Sequence, residues 1–218
     1  MKHLIRNFLL VLMLLYGSAC GIKNIDFLKM SDCALPCWNQ IYVGKTTKDE
    51  VIDTISKLSF IDPTINLTDS IGNSFISEKT VFYTRDTGRF FNSDVTAYYS
   101  KNIVEKIYFE GHIDHNINQI IQMIGDPDYV YTGRENVSGE VLVFMVYPTK
   151  GFDYGVDISS PNEEITGNNI PAYFEIFNPN AYDELVKNHW FPYQDTTQLY
   201  KWKGFGSIQK MYWPSQQP

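Results

Sequence analysis

The side chains able to do chemistry in this 218-residue chain fall into four groups. His112, Asp114 and His115 lie together, and two imidazoles with a carboxylate are a donor set for a divalent metal. No helical i, i+4 histidine pair or distant ligand set accompanies them, and Asp114 has a second use as a helix cap. The expectation is therefore no metal and no cofactor. Asp153, Asp157, Glu163 and Glu164 could hold calcium, but their spacing misses the EF-hand loop, and a solvated acidic face is the simpler reading. Neither G-x-S-x-G nor H-E-x-x-H occurs, and Gly204-Phe205-Gly206 lacks the strand-to-helix context of a phosphate loop. No catalytic residue is assigned, and an enzyme is not expected. Trp190, Trp202, Tyr212 and Trp213 could form a platform for a partner or a sugar, or instead cover the sheet and complete the core. The last group is the cysteines, Cys20, Cys33 and Cys37, an odd number that leaves one over.

The sequence around Cys20 assigns the odd one. Lys2, His3 and Arg6 make a positive start, and residues 8–15 are an apolar run. Gly17, Ser18 and Ala19 supply small residues before Cys20. That is the three-part order of an export leader. The apolar run is about half of the ~20 residues a membrane-spanning helix needs. The segment Tyr16-Gly17-Ser18-Ala19-Cys20 resembles a bacterial lipobox, with Gly17 where that pattern usually has leucine. The same stretch also satisfies the small-x-small rule of an ordinary leader peptidase, which would leave a secreted protein. Lipidation is the preferred reading, and acyl chains on Cys20 would hold the mature chain on a membrane. Cys33 and Cys37 then remain as a pair, and an oxidising compartment favours a disulfide between them. Their C-x3-C spacing is not the C-x2-C of thioredoxin-like redox sites.

Composition narrows the partners. The formal charge of −7 becomes −9 once Lys2 and Arg6 leave with residues 1–19, leaving 16 basic against 25 acidic residues. Phosphate backbones repel such a chain, so nucleic acid is excluded as an expected partner. A hydrophobic fraction of 44% is enough for a core, and the 15 tyrosines and 14 phenylalanines favour strands.

The elements follow from local signals. Thr47 and Glu50 form a capping box before Val51, Ile52, Ile55 and Leu58, which share a helical face. Residues 62–78, rich in Asn, Asp, Ser, Thr and Gly, read as a loop with at most one short strand. Strands are expected at 79–84, 94–99 and 103–110, the last two joined through Ser100-Lys101-Asn102. Ile103, Ile107 and Phe109 face one side of the last strand, with Lys106 and Tyr108 on the other. A second helix, capped by Asp114, has Ile113, Ile117, Ile120, Ile121 and Ile124 as its apolar face and stops at Gly125-Asp126-Pro127. Strands at 129–131, 141–147, 152–158 and 172–177 follow, then a short helix at 181–187.

Helix followed by meander thus occurs twice, at a period of about 65 to 70 residues. The expected fold class is α+β, as two tandem helix-plus-antiparallel-sheet units with a C-terminal aromatic-rich segment. The expected divisions are a leader at 1–19, an anchor, tether and cysteine loop at 20–40, a first unit at 41–110, a second at 111–178, and a C-terminal segment at 179–218 packed on the body.

Ile41-x-Val43-Gly44-Lys45-Thr46-Thr47-x-x-Glu50-Val51 is similar to the helix-entry motif of BamE/SmpA-type lipoproteins, and Ile124-Gly125-Asp126-Pro127 resembles that family's Leu-Gly-x-Pro closure. The duplicated plan also resembles the beta-lactamase inhibitor protein. Cys33-Ala34-Leu35-Pro36-Cys37-Trp38, together with Trp202-Lys203-Gly204-Phe205-Gly206 near the end, resembles a group of uncharacterised bacterial lipoproteins. These resemblances imply protein binding at a cell envelope, at the level of fold alone. The expected function is a non-catalytic, lipid-anchored binding or scaffolding protein of the bacterial envelope with an envelope protein as partner. The alternatives are a small-ligand or glycan-binding module, or a secreted inhibitor-like protein.

Overall fold

The computed structural model describes residues 33–71, 75–84, 94–111, 115–134, 141–160, 162–188 and 199–212. The described chain begins with a small hairpin, β1 (Cys37–Trp38) and β2 (Ile41–Tyr42). Its two connecting residues, Asn39 and Gln40, both have positive φ, as a two-residue hairpin turn with the right twist requires. Helix α1 (Lys48–Ser56) follows, and the Glu50 carboxylate accepts hydrogen bonds from the Thr47 backbone N–H at 2.8 Å and the Thr47 hydroxyl at 2.7 Å. Both bonds favour the ionised carboxylate and hold Glu50 below its ordinary pKa. Val51 and Ile55, four apart and so on one face, are the buried positions.

Four strands come next: β3 (Ile61–Ser70), β4 (Glu78–Thr84), β5 (Asp94–Ser100) and β6 (Ile103–Glu110). The expected loop at 62–78 is corrected here, because most of it is the ten-residue β3. Its polar composition reads as loop, but a strand at the edge of a sheet tolerates polar residues and even Pro63, because only one of its sides must pair. Helix α2 (Ile117–Ile124) follows. Its cap is Asn116, two residues after the expected Asp114, which lies outside the described residues. Asn116 Oδ1 accepts from the Gln119 N–H at 3.0 Å, and Gln119 Oε1 accepts from the Asn116 N–H at 2.9 Å. Asn116→Ala is expected to destabilise the fold by about 1 kcal/mol, measured by urea unfolding, because it strands a helix N–H. Gly125 ends the helix at φ +84 and ψ −179, a conformation open to glycine.

After α2 come β7 (Tyr129–Arg134), β8 (Val141–Tyr147), β9 (Phe152–Ile158), the short β10 (Glu164–Ile165) and β11 (Tyr173–Phe177). Helix α3 (Tyr182–Lys187), β12 (Leu199–Lys201), β13 (Gly206–Ser207) and α4 (Ile208–Met211) complete the described chain.

Two tandem helix-plus-sheet units are not what these elements build. Among the described residues, nine strands form one continuous antiparallel sheet in the order β12-β7-β8-β9-β11-β6-β5-β4-β3, and short helices dress it. Strand dominates the protein, so the α+β expectation is overturned. The physical reason is β11. A unit of β3 to β6 would leave β6 as a bare edge, and a unit of β7 to β9 would leave β9 as another. Strand β11 pairs with both, setting Glu175 opposite Asp153 on one side and Tyr108 on the other. Unpaired backbone groups at the two would-be edges are satisfied together, and the expected boundary between units falls inside one sheet.

Alternation along the strands separates two cores. Val95, Ala97 and Tyr99 of β5, Ile107 and Phe109 of β6, Phe174 and Ile176 of β11, and Phe152, Tyr154 and Val156 of β9 face one side. Val51 and Ile55 of α1 and Ile117 and Ile120 of α2 pack into the same cluster. The opposite face carries a smaller cluster, where Phe144, Val146 and Phe177 meet Ile76 and the α3 residues Leu185 and Val186.

Candidate functional site

The alternation that buries Ile107 and Phe109 sends Lys106 and Tyr108 to the second face of β6. There Lys106 is 4% exposed rather than solvated, with Glu175 at 2% and Asp153 at 0%. Lys106 Nζ lies 2.9 Å from Glu175 Oε1. The ammonium sits 5.0 Å from the centre of the Tyr98 ring and 6.0 Å from that of Tyr108, close enough for cation–π attraction. Tyr108 in turn stacks on Tyr173 at 6.2 Å and 22°. The strand ladder places each member: Tyr98 opposite Lys106, Tyr108 opposite Glu175, and Glu175 opposite Asp153.

Burial favours the neutral form of each acid in this cluster. It pushes the Glu175 carboxyl above its ordinary 4.5, and Lys106 opposes that without cancelling it. Tyr98 is pushed up to about 12, chiefly by burial and then by the Glu175 and Asp94 charges. Asp94, opposite Glu110 at the end of the β5–β6 ladder, is raised by burial and lowered by Lys79. Glu175 Oε2 is buried and has no hydrogen-bond partner among the described residues. Chemically the cluster can keep a proton on one carboxyl above the usual carboxylate range and clamp β6 to β11. Sequence reading placed Lys106 and Tyr108 on the right face but had no sign that this face is covered. The signal was present in Asp153 and Glu175, charged residues inside otherwise apolar strands.

The cysteine expectation is met by geometry. Cys33 and Cys37 form a disulfide with their Cα atoms 5.7 Å apart, within the usual range for the bond. Their loop packs on the turn between β8 and β9. A Cβ on Gly151 would lie 2.8 Å from Pro36 Cβ and 2.1 Å from the Phe177 carbonyl oxygen, and Gly151 sits at φ +60, so only glycine fits. Below the loop, Trp38 is buried edge-on against Phe109, with ring centres 4.5 Å apart. Replacing both cysteines with serine is expected to lower stability by ~2 kcal/mol, because the closed loop is short. Urea midpoints of oxidised and double-mutant protein would measure this.

The tail aromatics divide. Tyr212 is fully buried. Its hydroxyl donates to the Gly204 carbonyl at 2.7 Å and accepts from the Lys203 N–H at 2.9 Å, while its carbonyl accepts from Thr132 Oγ1 at 2.8 Å. It is a core residue pinning the tail to β7, and it offers no face to a sugar. Trp202 stacks on Tyr212 at 6.1 Å and 8°, and takes Phe205 edge-on at 5.4 Å. Trp202 is partly buried against the main core, and Phe205 stays 40% exposed. Trp190 and Trp213 lie outside the described residues, as do Cys20, His112 and Asp114. His115 is described and half-buried.

Asp153 points into the second face, whereas Glu164 lies in β10, which pairs with β13 in a separate two-stranded sheet, and Glu163 directly precedes it. Among the described residues no group of three or more His, Cys, Asp or Glu side chains is arranged to hold a metal. Ser207-Ile208-Gln209-Lys210 has the S-x-x-K spacing of a serine nucleophile and its lysine. Ser207 here caps α4, accepting from the Lys210 N–H at 3.4 Å, which accounts for its place.

Comparison with known proteins brings no match to any family model, to any curated protein, or to any solved structure. The chemistry of the site must therefore be read from its own residues.

Proposed function

We propose that this chain is a lipid-anchored, non-catalytic binding protein of the bacterial cell envelope, tethered through Cys20 and presenting its sheet to an envelope protein partner. The observation that carries the reading is the Cys33–Cys37 disulfide a short way after a lipobox-like Cys20. Disulfides persist in oxidising compartments, and an export leader is the route to one. The acidic balance disfavours nucleic acid as the partner class.

Intact mass of the chain produced in a bacterial host with its leader tests the anchor. The expected species starts at Cys20, carries acyl chains and lacks two hydrogens for the bridge. A product starting elsewhere, or unacylated, overturns the tethered reading and favours a secreted protein. Crosslinking in intact envelopes, followed by purification under denaturing conditions, tests the binding role. A discrete adduct with one envelope protein is expected, and recovery of the monomer alone counts against it.

A further inference from the structure

The sheet has two ends, and they are treated differently. At one end β12 is three residues long and finishes at Lys201, whose ammonium lies 4.1 Å over the Tyr129 ring. A very short edge with a lysine on it is a device that discourages pairing with another chain. At the other end β3 is ten residues long. Its first part is protected: Asp62 and Pro63 sit there, and the register with β4 shifts between Ile61 and Asn66. From Asn66 to Ser70 the register with β4 is regular, without proline or lysine on the strand. Thr68, Asp69 and Ser70 are exposed, and no strand lies outside them among the described residues.

We infer that residues 66–70 of β3 are a docking edge for an extended segment of a partner protein, added as a tenth strand and carrying basic side chains. The inference rests on the binding-protein reading above and deepens it by naming the surface. Main-chain N–H and C=O groups along a regular edge give affinity to any extended peptide, and side chains give the choice among them. Asp69 supplies the choice. Its carboxylate is 62% exposed and lies 3.9 Å from Lys79 on the neighbouring strand, a separation at which the cation only weakly satisfies it. Asp62 further along the same strand and the negative balance of the whole chain add to the field. A basic strand is steered toward this edge, and an acidic one, including β3 of a second copy, is repelled.

The test uses the full mature chain and a capped synthetic peptide of alternating lysine and valine, with an alternating glutamate and valine peptide as control. Hydrogen exchange at the amides of residues 66–70 is expected to slow saturably with the basic peptide and to stay unchanged with the acidic one. Asp69→Lys, checked for unaltered urea unfolding, is expected to weaken the basic peptide about fivefold or more. Unchanged exchange at 66–70, or protection confined to another segment, overturns the assignment. So does protection that rises with protein concentration without peptide, which would mark the edge as a contact between copies. An envelope crosslink mapped to a different surface would leave the binding role standing while removing this edge from it.

Discussion

Lys106→Ala is expected to destabilise the protein by about 3–5 kcal/mol, the loss that follows when one partner of a buried ion pair is deleted and the other charge is left without compensation. Glu175 is 98% inaccessible, at 2% exposure, so water cannot take the place of the ammonium. Replacing both residues with apolar ones of similar volume, Lys106→Met with Glu175→Leu, is expected to be close to neutral or stabilising, since it removes the desolvation penalty along with the attraction. Urea midpoints of the single and double mutants separate these outcomes. A loss under 1 kcal/mol in the single mutant would show that the pair is not closed to water.

The same pair predicts an inverted pH response. The folded chain keeps the Glu175 proton to higher pH than the unfolded chain, whose carboxyl titrates near 4.5. The stability tied to that proton is fully present below 4.5 and is lost as pH rises through the folded value. Glu105 and Asp94, both raised chiefly by burial, act in the same direction. Glu50, lowered by its bonds to Thr47, acts in the opposite one. Unfolding temperature is therefore expected to be higher at pH 5 than at pH 7.5, and Glu175→Gln should flatten the difference. A melting temperature that climbs steadily from pH 5 to 7.5 in both proteins would refute this assignment.

Trp38→Ala carries the second large effect, again about 3–5 kcal/mol, by removing a large buried side chain that its surroundings cannot replace. The indole sits edge-on against Phe109, which is itself stacked on Phe174 at 4.2 Å across the β6–β11 join, and the Cys33–Cys37 disulfide ties down the residue before it. Trp38→Phe should recover most of the loss, because a planar ring of smaller volume keeps the edge contact. Denaturation monitored by far-UV circular dichroism would read both variants.

The parts of this fold that sequence exposed are those governed by near neighbours. The apolar spacing of Val51 and Ile55 and the alternation of Ile107 and Phe109 with Lys106 and Tyr108 name their own sides. The step from Gly125 to Pro127 names the end of a helix. Strand β3 stayed hidden because Asp62, Thr64, Thr68, Asp69 and Ser70 are loop-favouring residues whose partner, β4, decides their conformation. The two-unit layout failed for a related reason. Nothing in Tyr173-Phe174-Glu175-Ile176-Phe177 says that it will lie between strands far earlier in the chain. The pairing inside the buried cluster is hidden for the same cause: Lys106 and Glu175 are 69 residues apart, and Lys106 alone looks like a strand residue facing water. Local pattern gives a residue its side of the sheet, and only the strand order decides what covers that side.

The late arrival of β11 has a temporal consequence. A chain emerging N-terminus first has β6 and β9 outside before residues 173–177 exist beside them. Through that interval both central strands offer open backbone to any passing peptide. Closure of so long a loop is slow, and transient edges of this kind aggregate. Truncation just before β11 should convert the protein into a substrate for holding chaperones, and the intact molecule becomes safe from them when its last central strand drops into place.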